Sequence, residues 1–358
     1  MSDFIDGSLY GQGDSSKQSA IDTIKPVFPA KKQLLQLAND KVAKWFTPYH
    51  PNRLGENYGK GDHFAGKEVG FEWEYGGRAD SFELEIAEEG NYNNCLRYRS
   101  TVKKVSVGDL NVFSDYAWRV TAYIDGKKVA IGESGFSTKK APKAIGIDGV
   151  SNARDLAFFS GDLRQGMVFR SASLDAITEK GLSDALSKYK IKTEIDLRNT
   201  GEGKQSPLGE QVNYYSFPGA YYVSSAASVK DPFYQQNMAK AIGVFADESN
   251  YPILFHCAIG RDRTGTLAAV LEAFLGAEYD DIMADYEMSF FSDVGCKDGT
   301  APDIMFAKIT EIYDFLSEYG EGTLQENTAK FLQDIGVTSE ELERIRRIMQ
   351  KEKNIEHS

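Results

Sequence analysis

The spacing of apolar residues changes once along this chain, and that change limits the fold more than any other feature. Phe71-Glu72-Trp73-Glu74-Tyr75 alternates aromatic with acidic residues and runs into Gly76-Gly77. Phe82, Leu84 and Ile86 keep the period of two, and Tyr116-Ala117-Trp118-Arg119-Val120-Thr121-Ala122-Tyr123-Ile124 repeats it before Asp125-Gly126. Alternation puts one residue set on each face of a strand, and Asp-Gly suits a tight hairpin turn. Short strands at this rhythm predict a small all-β sandwich, with Trp73 and Trp118 in its core. After the linker Thr138-Lys139-Lys140-Ala141-Pro142-Lys143 the rhythm becomes strand, helix, strand. Residues 167–170, 192–197, 212–217 and 253–256 read as strands, and 177–189, 233–247 and 264–275 as helices. Helices over 304–319, 324–336 and 339–351, the last capped by Ser339, complete the pattern. Strands alternating with helices imply an α/β domain, a central sheet flanked by helices. The expected division is a lead-in with one short helix over 31–45 (1–59), the sandwich (60–140) and the α/β domain (141–358).

The length of 358 residues fits about two domains. A net charge of -12 disfavours nucleic acid and anionic membrane as partners, so any anion site must be built locally. No apolar run reaches the ~18 residues of a spanning helix. The first residues lack a basic segment followed by an apolar core, so no secretory signal is expected, and both cytoplasm and export stay open. Cys95, Cys257 and Cys296 form no CxxC pair, which argues against a zinc site and a disulfide framework. Cys95 and Cys296 read as structural.

The segment with chemical content is His256-Cys257-Ala258-Ile259-Gly260-Arg261-Asp262-Arg263-Thr264-Gly265, set between an apolar strand and an apolar helix. A loop there aims backbone N–H groups at the helix N-terminus and makes an anion nest. Ala258, Ile259, Gly260, Arg261 and Thr264 are the candidate binding residues. Gly260 permits the tight curl, and Gly265 lets the helix pack closely. Arg263 can grip two phosphate oxygens with its planar fork. The same field favours the Cys257 thiolate, a nucleophile able to attack phosphorus. Thr264 is placed to donate to the sulfur, and His256 to order the loop.

His-Cys-x5-Arg-Thr-Gly resembles the signature loop of protein tyrosine phosphatases and dual-specificity phosphatases. Gly-Arg-Asp-Arg-Thr-Gly is similar to a bacterial subgroup that usually has lysine where Arg261 stands. Asn152-Ala153-Arg154-Asp155-Leu156, Phe169-Arg170-Ser171-Ala172, Asp196-Leu197-Arg198, Asp285-Tyr286-Glu287-Met288-Ser289 and Gly336-Val337-Thr338-Ser339-Glu340-Glu341 resemble further motifs of that subgroup. Ala157-Phe158 replaces its usual two glycines. Residues 60–138 resemble a fibronectin type III-like domain.

The resemblance implies an α/β phosphatase domain behind a small all-β sandwich, and cysteinyl-phosphate chemistry that needs no metal or organic cofactor. It implies phosphotyrosine in proteins as substrate. Phosphoinositides or inositol polyphosphates are the alternative, motivated by Arg261 as a second loop cation. A phosphate-binding module without turnover is the alternative of another class, and the sandwich is read as a spacer or partner-binding module. For the general acid the candidates are Asp262, then Asp196 at a strand end, then Asp231 in the loop after Gly219. Tyr221-Tyr222 could stack on a phosphoaryl ring.

Overall fold

The computed structural model describes residues 21–51, 66–199, 201–203, 205–219, 230–295 and 302–351. The chain forms two compact units. One comprises Met1–Lys31, Gly70–Val105 and Tyr116–Gly135, the other Lys32–Val69, Ser106–Asp115 and Phe136–Ser358. The units therefore interleave in sequence rather than following as the consecutive blocks 1–59, 60–140 and 141–358.

In chain order the first strands are β1 (Asp22–Thr23), β2 (Lys25–Phe28), β3 (Gln33–Leu35), β4 (Val69–Glu74), β5 (Ser81–Glu88), β6 (Leu96–Ser100), β7 (Lys104–Val107), β8 (Asp115–Ile124) and β9 (Lys127–Thr138). One sheet runs β1-β9-β8-β5-β6, with β3 also on β9, and a second runs β2-β4-β7. The expected alternation buries Phe71 and Trp73 from one sheet and Phe82, Leu84, Trp118 and Val120 from the other. Phe71 meets Trp118 edge-on at 5.4 Å between centroids, and Trp73 meets Phe82 at 5.4 Å. Asp125 (φ 49°) and Gly126 (φ 72°) make the hairpin turn between β8 and β9.

Two expectations at the N-terminal end fail. Residues 21–28 are not a bare lead-in: β1 lies along β9, and Ile24 is buried with its N–H on the Ile131 carbonyl at 2.9 Å. Strands of two and four residues are too short to show a period. The helix expected over 31–45 divides into β3 and α1 (Asp40–Phe46). Asn39 sets the break, because its side chain caps the N–H groups of Lys41 and Val42.

In the second unit the sheet order is β10 (Lys143–Ala144), β11 (Arg154–Asp155), β12 (Val168–Ser171), β15 (Ile253–His256), β13 (Thr193–Asp196), β14 (Asn213–Ser216). The last four are parallel, and β10 and β11 add antiparallel at one edge. The helices are α2 (Glu179–Ser183), α3 (Pro232–Phe245), α4 (Asp262–Phe274), α5 (Tyr279–Met288), α6 (Pro302–Ser317), α7 (Leu324–Asp334) and α8 (Ser339–Met349). α5 went unread as a helix, since its acidic and aromatic residues obscure the apolar stripe. Thr338 rather than Ser339 caps α8, in a reciprocal box with Glu341. Ser171, His256, Asp196 and Ser216 lie side by side in register at the carboxyl ends of the parallel strands. In open α/β sheets the crevice beyond those ends is where ligands bind.

Candidate active site

Strand β15 delivers Cys257 to the middle of that crevice, and residues 257–261 curl from its end into α4. The curl depends on Gly260, whose φ is +69°. A Cβ there would stand 2.3 Å from the Ser171 carbonyl oxygen, so no side chain fits.

Three successive carbonyls of the curl are held by groups outside it. Ser173 N–H donates to Ala258 O at 3.2 Å, Asn152 Nδ2 to Ile259 O at 3.0 Å, and Arg170 Nη2 to Gly260 O at 2.8 Å. In a trans peptide the following N–H points opposite to the carbonyl. The N–H groups of Ile259, Gly260 and Arg261 therefore face away from these partners. His256 reinforces this from below. It is fully buried, with Nδ1 3.3 Å from Cys257 O and Nε2 2.9 Å from Glu194 Oε1. Ser206 Oγ donates to the other oxygen of Glu194.

The brace behind the loop is ionic. Arg154 Nε donates to Asp285 Oδ1 at 2.7 Å, and Arg170 Nη1 pairs with Asp285 Oδ2. Arg154 also reaches Asn152 Oδ1 at 2.6 Å and Ser289 Oγ at 3.1 Å. Burial pushes Asp285 up, but Arg154 and Arg170 outweigh it and hold the carboxyl below its usual range. Burial, then the like charge of Arg170, brings Arg154 down to about 10. Glu272, on the buried side of α4, is pushed well above the usual range by burial and then by Asp285. Asp285 and Glu194 were absent from the sequence-based site. Asp285 stood in a quoted motif, and Glu194 gave the weaker signal of an acid inside an apolar strand.

The candidates named from the sequence separate into two groups. Cys257, directly after β15, and Arg263, in the first turn of α4, are both buried, 1% and 5% exposed. Arg263 Nη1 lies 3.8 Å from the carboxylate of Glu202, which is 40% exposed, and its Cβ packs against Gly219. The hydroxyl of Thr264 is buried and has no hydrogen-bond partner, so the bond expected to Cys257 is not formed. Successive helix residues diverge by about 100°, so the side chains of Arg263 and Thr264 leave α4 in different directions. Arg261 does not extend into the mouth of the curl as a second anion ligand. It is fully buried, its Nε on Asp262 Oδ1 at 2.7 Å and its Nη1 on the Gly295 carbonyl.

Among the acids, Asp196 is committed to structure. Arg198 Nε lies 3.0 Å from each of its oxygens, and Tyr214 OH donates to Oδ2 at 3.1 Å. Burial raises Asp196, but the Arg198 hydrogen bonds outweigh it and keep the carboxyl low. Asp231 caps α3 through Phe233 N–H at 2.8 Å. Asp262 opens α4 beside the curl with its side chain 14% exposed. Tyr221, Tyr222 and Cys296 lie outside the described residues. Glu194, Asp196 and His256 are the one grouping of three metal-capable side chains among the described residues. The Arg198 guanidinium already neutralises Asp196 there, so the donor set suits a proton network better than a cation.

Residues 145–351 match the family described as "Tyrosine phosphatase family". A Cupriavidus necator protein that bears the name of a tyrosine-protein phosphatase is 28% identical over 169 residues, covering 40% of this chain and 61% of its own. A tyrosine-protein phosphatase of Nostoc commune is 28% identical over 144 residues, 34% of this chain and 47% of its own. The chain thus spans about half to three-fifths of the length of these curated relatives. The core catalytic domain of the PP-IP phosphatase SIW14 from S. cerevisiae, solved with citrate, is 18% identical at a TM-score of 0.31, covering 49% of this chain and 94% of its own. With the family match spanning more than half of its residues, this chain belongs to the tyrosine phosphatase family.

Proposed function

We propose that the chain is a cysteine-dependent phosphatase of phosphomonoesters, with phosphotyrosine in proteins as its substrate class. The observation that carries this reading is that three successive carbonyls of the curl after Cys257 are bonded to groups outside it, which turns the N–H groups of Ile259, Gly260 and Arg261 away from those partners and leaves them to a ligand. Such a cradle holds three phosphate oxygens while the sulfur attacks phosphorus in line. The S–P bond forms as the ester P–O bond breaks, and the leaving oxygen takes a proton from Asp262. Water then attacks the cysteinyl-phosphate, returns its proton to Asp262 and releases inorganic phosphate and the thiolate. Asp262 is preferred as acid because it opens α4 beside the curl with its side chain 14% exposed, whereas Asp196 is 1% exposed and held through both oxygens by Arg198 and by Tyr214. Arg261, buried away from the mouth, lends no support to a polyanionic inositol head group.

The test is hydrolysis of a phosphotyrosine peptide by the parent and by Cys257→Ser. The serine variant should lose roughly four orders of magnitude or more in kcat. Undiminished turnover in that variant would sink the reading. No turnover by the parent, with phosphate still bound, would favour a binding module.

A further inference from the structure

We infer that Arg261 is a positioning residue for Asp262 rather than a phosphate ligand, held in that role by the turn 289–295 and by Trp45 and Tyr49. The inference rests on the phosphatase reading above and deepens it. Arg261 bridges two partners at once. Its Nε holds the Asp262 carboxylate at 2.7 Å, its Nη1 meets the Gly295 carbonyl, and the guanidinium lies 5.6 Å from the Phe290 ring centre. A planar fork fixes the angle between two such partners; a lysine ammonium, a single rotating point charge, does not. The departure from the lysine usual in the subgroup then has a physical sense.

The Gly295 carbonyl is itself fixed. Gly295 N–H donates to Ser292 Oγ at 3.1 Å, and Ser292 Oγ donates to the Ser289 carbonyl at 2.7 Å. The turn is so tight that a Cβ on Gly295 would stand 1.8 Å from Ser289 O. Two residues from an early segment of the chain, within the same compact unit, brace this turn and the end of α5 that leads into it. Trp45 packs on Phe291 at 5.0 Å between centroids, and Tyr49 OH donates to Glu287 Oε2 at 2.6 Å. Phe46 meets Phe158, the residue that replaces a usual glycine, at 6.3 Å. Both departures from the subgroup pattern thus belong to one contact chain, from α1 through 289–295 to Arg261 and Asp262.

The experiment uses the full chain and a series of aryl phosphates whose phenols differ in acidity. An acid that protonates the leaving oxygen matters most when the phenol is weakly acidic. Arg261→Lys should lower kcat about tenfold or more on the poorest leaving group and about threefold or less on the best. Inhibition by inorganic phosphate should move by less than about threefold, since Arg263 and the N–H groups remain. Gly295→Ala should reproduce the pattern, and Trp45→Leu and Tyr49→Phe should reproduce it more weakly. An equal loss of kcat across all leaving groups, with phosphate inhibition weakened about tenfold or more, would make Arg261 a direct ligand and overturn the inference. Parent-like leaving-group profiles in Trp45→Leu and Tyr49→Phe would remove the brace. Amide exchange at Ser292 and Gly295 is read independently of turnover and should quicken in Arg261→Lys. Unchanged exchange would deny the tie to the turn, whereas a parent chain inert to every aryl phosphate would sink the phosphatase reading itself.

Discussion

Both units have apolar cores, but they differ in the charge they bury beside them. In the β unit the centre is apolar: Phe71, Leu84, Trp118 and Val120 are fully buried, and the aromatic pairs meet edge to face. In the α/β unit, Arg154, Arg170, Asp285 and Glu272 sit together behind the curl after Cys257, each at most 1% exposed. Buried charges are poor stabilisers, because desolvation offsets most of their attraction. Their position explains their presence. Two of the four reach the curl, Arg170 directly and Arg154 through Asn152, and both are oriented by Asp285. The β unit is built to hold a shape. The ionic cluster of the other unit fixes two carbonyls of the curl, Gly260 O through Arg170 and Ile259 O through Asn152.

The contrast is open to being broken by substitution. Asp285→Ala strands two fully buried guanidinium groups and should cost about 4 kcal/mol in urea unfolding, with kcat falling as the Gly260 carbonyl is released. A cost near zero would mean that the brace is ornamental. Leu84→Ala in the β unit deletes apolar volume alone and should cost about 3 kcal/mol, without the catalytic loss. If turnover of a small aryl phosphate falls as steeply there, the two cores are not separable in their effects.

Glu272 gives a smaller effect whose sign distinguishes the cores. Its carboxyl is raised in the folded state, so folded protein keeps a proton that unfolded chain has lost. Stability then falls as pH rises above the unfolded value of about 4.3. Glu272→Gln removes that proton exchange while keeping the shape. Its urea midpoint should gain on the parent between about pH 5 and pH 8. A parallel pH profile in the two proteins would show that Glu272 is ionised in place.

What the sequence disclosed and what it hid divide along the same line. The strand, the curl and α4 were legible because their signal is local: an apolar run, a glycine at positive φ and an apolar helix in ten consecutive positions. The brace was not, since Arg154 and Asp285 are 131 residues apart and meet only through the fold. The direction of Arg261 was likewise hidden. Its neighbours in sequence allow either outlook, and a carbonyl 34 residues on decides between them. Thr264 was expected to open the helix and reach the sulfur, but the helix begins two residues earlier at Asp262 and buries the hydroxyl without a hydrogen-bond partner. Short strands at 22–28 fell below any period, while the long alternations of β4 and β8 did not.

Among its described residues the β unit has one buried charged residue, and it sharpens the comparison. Glu85 is 6% exposed and is held by Arg119 and by Arg97, the latter at 3.1 Å. Hydrogen bonds from Arg119, its largest influence, outweigh burial and lower its carboxyl. This stabilisation is therefore present above the unfolded value of about 4.3 and is lost as pH falls below it. Glu85→Ala looks on paper like Asp285→Ala, a buried carboxylate removed from between two arginines. The difference lies in the cations left behind. Arg119 and Arg97 have side chains 31% and 54% exposed, whereas those of Arg154 and Arg170 are at 0%. Guanidinium groups that reach water are rehydrated when their partner goes, and surface pairs of this kind are worth at most about 1 kcal/mol. Glu85→Ala should thus cost about 1 kcal/mol at neutral pH and less as pH falls below the unfolded value of about 4.3, where the stabilisation from the lowered carboxyl is progressively lost. A cost as large as that of Asp285→Ala would mean that the carboxylate itself, and not the isolation of its cations, makes an ionic core expensive to break.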